Sequence, residues 1–283
     1  MPDNRELPLP KIVDLFAGPG GWDEALAGLG RTDVIGIEYD EPCCRTREAA
    51  GHATRHANVA ELDPLDYAGI EGLIASPPCQ AWSMAGKRLG EQDRELVMQV
   101  AVDLTRGVDR RAEAREEAAD ERSILAVEPL RWALALRPRW IACEQVPPVL
   151  GLWEAFATAL EAVGYSTWTG ILRAEQYGVP QTRQRAFLIA RRDGIPACPP
   201  PPTHRRYVAP RKVDAEAPSL FDEAPEETVD REAIVHPDDR DLLPWVSMAE
   251  ALGWGMTVRP YPVVASGRST GGPDREKVGG SAA

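Results

Sequence analysis

The chain has 283 residues, a hydrophobic fraction of 43% and a formal net charge of −12 at pH 7. A chain of this length can bury one large core with a smaller appendage, and no run of about 18 apolar residues predicts a membrane span. Its N-terminus lacks the pattern of a secretory signal, and the five cysteines lack metal-type pairing with histidine. We therefore expect a cytoplasmic protein with reduced thiols and no bound metal.

The overall charge argues against binding to nucleic acid, but the charge is unevenly distributed along the chain. Residues 214–241 contain eleven acidic and two basic side chains, whereas residues 172–212 contain nine basic and two acidic ones. A local basic surface is therefore available to phosphate groups. The alternative is that both stretches are merely solvated faces.

The first predicted elements are a strand, a glycine turn and a helix. Lys11 to Phe16 is short and apolar, Ala17 to Gly21 interrupts it, and Trp22 to Leu29 has helical spacing. A second predicted strand, Val34 to Ile37, ends in Glu38-Tyr-Asp40. This order is typical of a βαβ unit in a parallel sheet.

Further predicted strands also adjoin polar or cysteine side chains. Gly72 to Ala75 leads into Ser76-Pro-Pro-Cys-Gln80, and Trp140 to Cys143 leads into Glu144-Gln-Val-Pro-Pro148. A last strand covers Ala186 to Ala190. Ligands of open α/β sheets bind beyond the carboxyl ends of the strands, so we expect these residues to share one edge.

Composition predicts the organisation of the remaining chain. The highly charged stretch between Lys87 and Arg122 predicts a mobile loop that feeds a helix. The proline run from Cys198 to Thr203 predicts a stiff boundary. We therefore expect a catalytic domain at residues 1–200, a linker or acidic arm at 201–240 and a partial recognition region at 241–283.

The glycine turn and the acid that follows the second strand predict a nucleoside site. Bare backbone amides in such a turn can approach a ligand closely. Glu38 lies about 20 residues further on, where a carboxylate can accept hydrogen bonds from ribose hydroxyls. Tyr39 is placed to stack on adenine. The alternative is a tight turn beside a solvent-exposed acid.

Three other segments carry groups suited to catalysis. Cys79 follows two prolines and precedes a helix-capable segment, a setting that favours a reactive thiolate, although most lone cysteines are inert core residues. Glu144 can retain a proton for acid catalysis on a ring nitrogen. Arg183 and Arg185 share one face if extended, and they suit a carbonyl, a carboxylate or phosphates, unless they are surface residues flanking a strand.

Taken together, these segments resemble the DNA cytosine-5 methyltransferase family. Asp14-Leu-Phe-Ala-Gly-Pro-Gly-Gly21 resembles its first cofactor motif, Ser76-Pro-Pro-Cys-Gln80 its nucleophile motif, Glu144-Gln-Val146 its acid motif and Tyr177-Gly-Val-Pro-Gln-Thr-Arg-Gln-Arg185 its arginine motif. The resemblance implies a Rossmann-like α/β fold for S-adenosylmethionine-dependent methyl transfer. It implies a mostly parallel sheet with helices on both faces and a small irregular target-recognition segment.

The resemblance also implies a reaction and its residues. Cys79 would attack carbon 6 of a cytosine flipped out of duplex DNA, Glu144 would bind or protonate nitrogen 3, and Arg185, supported by Arg183, would bind the 2-oxo group and orient Glu144. The charged loop after Lys87 would be a lid over the DNA, in a bacterial or phage restriction-modification context. The S-adenosylmethionine-binding residues would be Phe16, Gly18, Gly20, Gly21, Glu38, Tyr39, Asn58 and Pro78.

The sequence departs from the family pattern in three places, and these departures leave alternative functions open. Gln145 stands where asparagine usually follows the glutamate, and Asn58 where aspartate is more common. The closing segment of the family, with glutamine, glycine, asparagine and proline, is not found. We therefore expect either a truncated product or a second polypeptide that supplies this segment. The alternative functions are a relative that binds only DNA or cofactor, and an RNA cytosine-5 methyltransferase.

Overall fold

The computed structural model describes residues 10–78, 92–208 and 235–253. Its strands form one seven-stranded sheet in the order β3-β2-β1-β4-β5-β7-β6. Strand β7 is antiparallel to β5 and β6, and the other neighbours are parallel. The predicted mostly parallel, Rossmann-like α/β fold is confirmed. The strands are β1 Ile12–Leu15, β2 Val34–Glu38, β3 Thr54–His56, β4 Gly72–Ala75, β5 Trp140–Gln145, β6 Ser166–Arg173 and β7 Gln184–Arg191.

Helices pack on both faces of this sheet. Trp22 and Leu26 of α1 pack against Ile12 of β1 on one face, and α2 contacts β2 and β3. Helices α3, α5 and α6 contribute to the larger core cluster around Val13 and Leu15 on the other face. In the described ranges no helix is long and apolar enough to span a membrane. The described helices are α1 Gly21–Gly28, α2 Glu41–Ala49, α3 Arg94–Thr105, α4 Arg111–Glu117, α5 Glu128–Leu136, α6 Leu150–Glu161 and α7 Met248–Ala251.

The predicted strands lie within two residues of their observed bounds, but two strands were not predicted. Strand β3 has only three residues, Thr-Arg-His, and none of them is apolar. In β6 every residue is half-buried, so no alternation between an inner and an outer face distinguishes it. Both strands form through pairing with a neighbour, β3 with β2 and β6 with β7.

The charged stretch before Arg122 is largely helical, so the prediction of a mobile loop is wrong for residues 92–122. Helix α3 buries Val97, Val100 and Ala101, whose spacing places them on one face. Helix α4 buries Ala114 beneath its charged side chains. These helices are packed into the core and do not form the predicted lid. The remainder of the stretch, residues 79–91, lies outside the described residues.

The segments at 201–208 and 235–253 contact each other. His204 forms a β-bridge with Leu243, and Arg206 contacts the buried carboxylate of Asp239 at 2.8 Å. Tyr207 packs edge-on against Trp245. Most of the predicted acidic arm, residues 209–234, lies outside the described residues. The predicted boundaries at 200 and 240, and the recognition role of this region, stay predictions.

The sheet is covered unevenly on the α1 side. Strands β1 and β4 are buried throughout, whereas alternate residues of β5 and β7 are only partly buried. An open cavity of about 690 Å³ lies there, lined by Trp140, Phe187 and Ile189 among others. The more thickly covered half of the sheet is therefore the half that contains the glycine turn.

A buried ion pair joins α1 to α2 on this side. Arg47 is fully buried, and its guanidinium contacts both carboxylate oxygens of Asp23 at 2.8 and 2.9 Å. The arginine crosses Gly36 so closely that a Cβ there would lie 1.9 Å from Arg47 Nη2. Glycine is therefore required at position 36, and the pair fixes α1 immediately after the glycine turn.

Substitution of Arg47 by alanine should lower the free energy of unfolding by about 3–5 kcal/mol, because it leaves Asp23 buried without its partner. Urea unfolding followed by circular dichroism measures this loss. The control is Arg45→Ala on the same helix, whose ion pair with Glu41 is largely exposed and should contribute little. Equal losses in the two variants would contradict the expectation.

Asp14 is a buried acid in the middle of β1. Within residues 10–78, 92–208 and 235–253, neither carboxylate oxygen has a hydrogen-bond partner. Burial, with a further contribution from the negative charge of Asp23, raises the pKa of Asp14 well above its ordinary value. The folded protein therefore binds a proton at Asp14 under conditions in which the unfolded chain has lost it.

This raised pKa predicts a pH-dependent loss of stability. Because the folded state holds the extra proton, its stabilising contribution is full below the ordinary aspartate pKa and is lost as pH rises towards the raised value. Asp14→Asn should therefore reduce the fall in unfolding free energy as pH rises above the ordinary aspartate pKa, measured by urea unfolding at a series of pH values. A steeper fall in the variant than in the wild type would contradict this.

Candidate active site

The carboxyl ends of β1, β2, β4 and β5 bring most of the predicted site residues together. The backbone amide of Gly18, after β1, donates to Glu38 at the end of β2 at 2.8 Å. Trp22 Nε1 donates to Ser76 Oγ, after β4, at 3.0 Å. The side-chain amide of Gln145, at the end of β5, donates to the carbonyl of Pro77. Hydrogen bonds therefore connect the four strand ends laterally.

The turn after β1 has an unusual backbone. Phe16 has φ 60°, a left-handed conformation that is uncommon for a residue with a bulky side chain. Gly18 and Gly20 also have positive φ values, of 54° and 104°. Gly21 begins α1, so the free amides of the helix N-terminus lie beside the turn. Strained backbone of this kind is common where a protein holds a ligand.

Glu38 organises this turn. Its Oε2 accepts the hydrogen bond from Gly18, while Oε1 accepts from the amides of Tyr39 at 2.8 Å and Asp40 at 2.7 Å. A carboxylate oxygen can accept two hydrogen bonds, so Oε2 retains capacity for a ligand hydroxyl. The sequence predicted a ligand contact at Glu38 but not its bond to the glycine turn.

Tyr39 and Asn58 lie next to Glu38. The Tyr39 side chain is 72% exposed, and its carbonyl contacts His56 Nε2 at 2.9 Å. Ala57, before Asn58, donates its amide to the carbonyl of Glu38 at 2.9 Å. The ends of β2 and β3 therefore bring a carboxylate, an exposed aromatic ring and a carboxamide to one place.

Glu38→Ala should weaken binding of S-adenosylmethionine by about 1.5–3 kcal/mol, because it removes charge-assisted hydrogen bonds at the turn. Isothermal titration calorimetry measures the change directly. The control is Glu41→Ala, which removes an acid from the first turn of α2 whose ion pair with Arg45 is largely exposed. Unchanged affinity in Glu38→Ala would remove Glu38 from the binding site.

The predicted acid lies against one predicted arginine. Arg185 Nε contacts Glu144 Oε1 at 2.7 Å, whereas Arg183 Nη2 is 3.9 Å from the same oxygen. Arg185 and Glu144 are both mostly buried, but Arg183 is 50% exposed. Arg185 therefore orients the carboxylate, and Arg183 is more accessible to solvent.

Gln145 has a structural role that the sequence did not predict. Its side chain is buried, donates to the Pro77 carbonyl and accepts from the amide of Val146 at 2.6 Å. Pro77 lies two residues before Cys79 in the chain. The residue that departs from the family pattern thus connects the acid segment to the segment that precedes Cys79. Gln145 follows Glu144 directly on β5, so the two side chains face opposite sides of the sheet. This alternation was the sequence signal that could have indicated a separate role for Gln145.

A second unpredicted contact reaches the acid segment from α3. Arg94 Nη2, at the start of that helix, donates to the carbonyl of Pro148 at 2.9 Å. The contact joins the first described turn after residue 91 to the loop that follows Glu144. Its signal in the sequence, one arginine in a charged stretch, was too weak to identify it.

Cys79 lies outside the described residues, and Pro78, the last described residue before it, is half-buried. Three other cysteines, which are partly or fully buried, are poor sources of thiolate. Burial raises the pKa of Cys143 to about 12, and burial together with nearby Asp40 raises the pKa of Cys43 to about 11. The pKa of Cys44 is also raised by burial. A reactive thiolate is therefore not expected at these three positions.

Residues 10–108 and 111–236 match a family model described as C-5 cytosine-specific DNA methylase. Type II methyltransferase M.AquIA of Picosynechococcus sp. is 27% identical over 232 residues, which cover 72% of this chain and 81% of that protein. M.DdeI of Desulfomicrobium norvegicum is 27% identical over 204 residues, or 65% of this chain and 41% of the relative. The chain spans about half the length or less of this and several other curated relatives.

One solved structure with a similar chain path is that of S. pombe Dnmt2 methyltransferase. The TM-score is 0.48 and the sequence identity 20%, and the match covers 66% of this chain and 52% of that one.

Proposed function

The chain belongs to the family of C-5 cytosine-specific DNA methylases, and from this premise we propose that it transfers a methyl group from S-adenosylmethionine to carbon 5 of cytosine in duplex DNA. The observation that carries the proposal is the arrangement at the ends of β4 and β5. There the Arg185–Glu144 ion pair and the Gln145–Pro77 hydrogen bond place an oriented carboxylate beside the segment that leads to Cys79.

The side chains and backbone groups at the proposed cofactor site are of the kinds that can bind an adenosyl ligand. Glu38 retains acceptor capacity for a ribose hydroxyl, and the exposed ring of Tyr39 is available for stacking. The turn at Phe16, Gly18 and Gly20 exposes backbone where a ligand can approach closely. Bound S-adenosylmethionine supplies an electrophilic methyl group on its sulfonium. Asn58 and Pro78 would complete the pocket beyond β3 and β4.

The protein side chains supply the activation of cytosine. Carbon 5 is too weak a nucleophile to take a methyl group unaided. The Cys79 thiolate would form a bond to carbon 6 while Glu144 holds nitrogen 3, which makes carbon 5 nucleophilic. After methylation, a base takes the carbon 5 proton, and the electron pair that remains expels the Cys79 thiolate from carbon 6 and restores the aromatic ring. Arg185 would bind the 2-oxo group while it orients Glu144.

Access to these groups requires that the cytosine leave the duplex. Its ring atoms cannot reach a cysteine and a carboxylate inside a pocket while they are stacked, so base flipping belongs to the proposal. Arg183, which is half-exposed, is available to the DNA backbone. A restriction-modification context is supported by relatives that are named type II methyltransferases.

The experiment that tests this function incubates the chain alone with methyl-labelled cofactor and either mixed-sequence duplex DNA or RNA. Mapped 5-methylcytosine at a defined DNA motif would support the proposal. Methylation of RNA alone would favour the RNA alternative, and cofactor binding without methylation would favour a binding-only relative. The comparisons give no support to a second polypeptide. Activity of the chain alone would show that none is needed.

A further inference from the structure

A buried cluster of charged side chains lies behind the turn that contains Asn58. Glu128, at the start of α5, is fully buried. Arg111 Nη1 contacts its Oε1 at 2.5 Å, and Arg131 Nε contacts its Oε2 at 2.7 Å. Arg115 Nη2 lies further away, 3.8 Å from Oε1, so the close contacts are one guanidinium group for each carboxylate oxygen. Arg111 belongs to α4 and Arg131 to α5, so the cluster also joins two helices.

The two arginines hold the backbone of the turn. Arg111 Nη1 donates to the carbonyl of Ala60 at 3.2 Å. Arg131 donates to the carbonyls of Leu62 at 3.1 Å and Val59 at 3.0 Å. Three carbonyls within four residues are thus bonded to helices more than 50 positions away in sequence. Buried ion clusters often contribute little net stability. We therefore assign this cluster a role in holding the backbone of the turn in one conformation.

Asn58 lies at the other side of the same turn, and its carboxamide orientation is determined. Oδ1 accepts from the amide of Ala60 at 3.1 Å, and Nδ2 donates to Glu61 Oε1 at 2.9 Å. A rotation that exchanged oxygen and nitrogen would lose both hydrogen bonds. One acceptor site on Oδ1 and one N–H on Nδ2 remain available.

These two remaining groups match the polar edge of adenine. Adenine presents an amino donor beside a ring-nitrogen acceptor, the pattern that a carboxamide recognises in two hydrogen bonds. Hypoxanthine presents an acceptor beside an N–H donor, the reverse pattern. Ala60 and Glu61 prevent the carboxamide from turning over. Hypoxanthine would therefore place its acceptor against Oδ1 and its N–H donor against Nδ2, and neither hydrogen bond could form.

We propose that Glu128, Arg111 and Arg131 form a positioning cluster that fixes the turn at residues 58–62, so that Asn58 selects adenine over hypoxanthine in the cofactor. The inference rests on the proposed function, because it takes an adenosyl cofactor as the ligand. The three charged residues act through the turn and are positioning residues. The inference adds a determinant of cofactor selectivity that lies behind the pocket, on helices α4 and α5.

The test compares the affinities of S-adenosylhomocysteine and S-inosylhomocysteine by calorimetry. Glu128→Gln removes the carboxylate that pairs with Arg131 and one of the two that pair with Arg111, whose other partner is Asp109. Arg131→Lys is the milder variant, since an ammonium group cannot reproduce the planar fork that serves Glu128 and two carbonyls together. We expect each variant to reduce the preference for the adenine ligand by about tenfold. Asn58→Ala should largely abolish that preference, and Glu128→Asp should restore part of what Glu128→Gln loses.

The matched control is Asp93→Asn. Asp93 is also a buried carboxylate, and it accepts hydrogen bonds from the amides of Ala119 and Asp120 and from Ser123 Oγ, all away from the turn. This variant should lose stability but keep the wild-type ratio of affinities, which global destabilisation alone would not change. If folded Arg131→Lys keeps the wild-type ratio, the positioning role is overturned. Failure of the wild type to bind S-adenosylhomocysteine would instead overturn the proposed function.

Discussion

Replacement of Cys79 by serine is expected to lower methylation by more than about a thousandfold. Serine has nearly the same shape, but its hydroxyl is not ionised at neutral pH, so no anion is available to attack carbon 6. The proposed cofactor contacts at Glu38 and Tyr39 do not involve position 79, so S-adenosylmethionine affinity should change by no more than about twofold. Single-turnover methylation and calorimetry on the same preparation measure the two quantities.

The matched control is Cys198→Ser, which removes an exposed thiol and should leave both quantities unchanged. A second readout does not depend on turnover. DNA with fluorine on carbon 5 of cytosine lacks the proton that must leave, so the wild type should accumulate a covalent complex and Cys79→Ser should not. Substantial methylation by Cys79→Ser would mean that the nucleophile lies elsewhere in the chain.

Glu144→Gln should lower kcat by about 10²–10⁴-fold with little effect on cofactor affinity. Glutamine keeps the size of the side chain but cannot supply a proton to nitrogen 3. It also replaces the 2.7 Å charged contact with Arg185 by a neutral one. Rapid-quench measurement of methyl transfer at saturating DNA separates this loss from a change in DNA binding.

The control for this variant is Glu154→Gln, an exposed acid on α6 that should leave kcat unchanged. The double variant Cys79→Ser/Glu144→Gln should be about as slow as Cys79→Ser alone, because groups that act in one step are strongly non-additive. Multiplicative losses in the double variant would contradict a shared step, and an unchanged kcat in Glu144→Gln would remove the acid from the mechanism.

Most of the sheet could be predicted from local patterns. Short apolar runs that end in polar residues identified β1, β2, β4, β5 and β7. The signal is continuous in β1 and β4 because these strands are buried on both faces. The edge strands β3 and β6 escaped prediction because β3 is short and mostly exposed and β6 is half-buried throughout, so neither has an apolar pattern of its own. Helix α4 escaped because five of its seven residues are charged, and α3 escaped because it lies within the charged stretch, although most of its own residues are apolar.

The sequence by itself determined the kind of chemistry that we propose. The residues that predict it lie in short segments whose residue types and order can be recognised without knowledge of the fold: Phe16 to Gly21, Glu38, Cys79 and Glu144. Only the tertiary structure decided which side chains orient them. Arg185 rather than Arg183 lies on Glu144, Gln145 reaches Pro77, Glu38 holds Gly18, and Glu128 fixes the Asn58 turn through two arginines. Several of these partners are 20 to 72 positions apart in the chain, so the register of strands and the packing of helices set their contacts, and no local pattern encodes them.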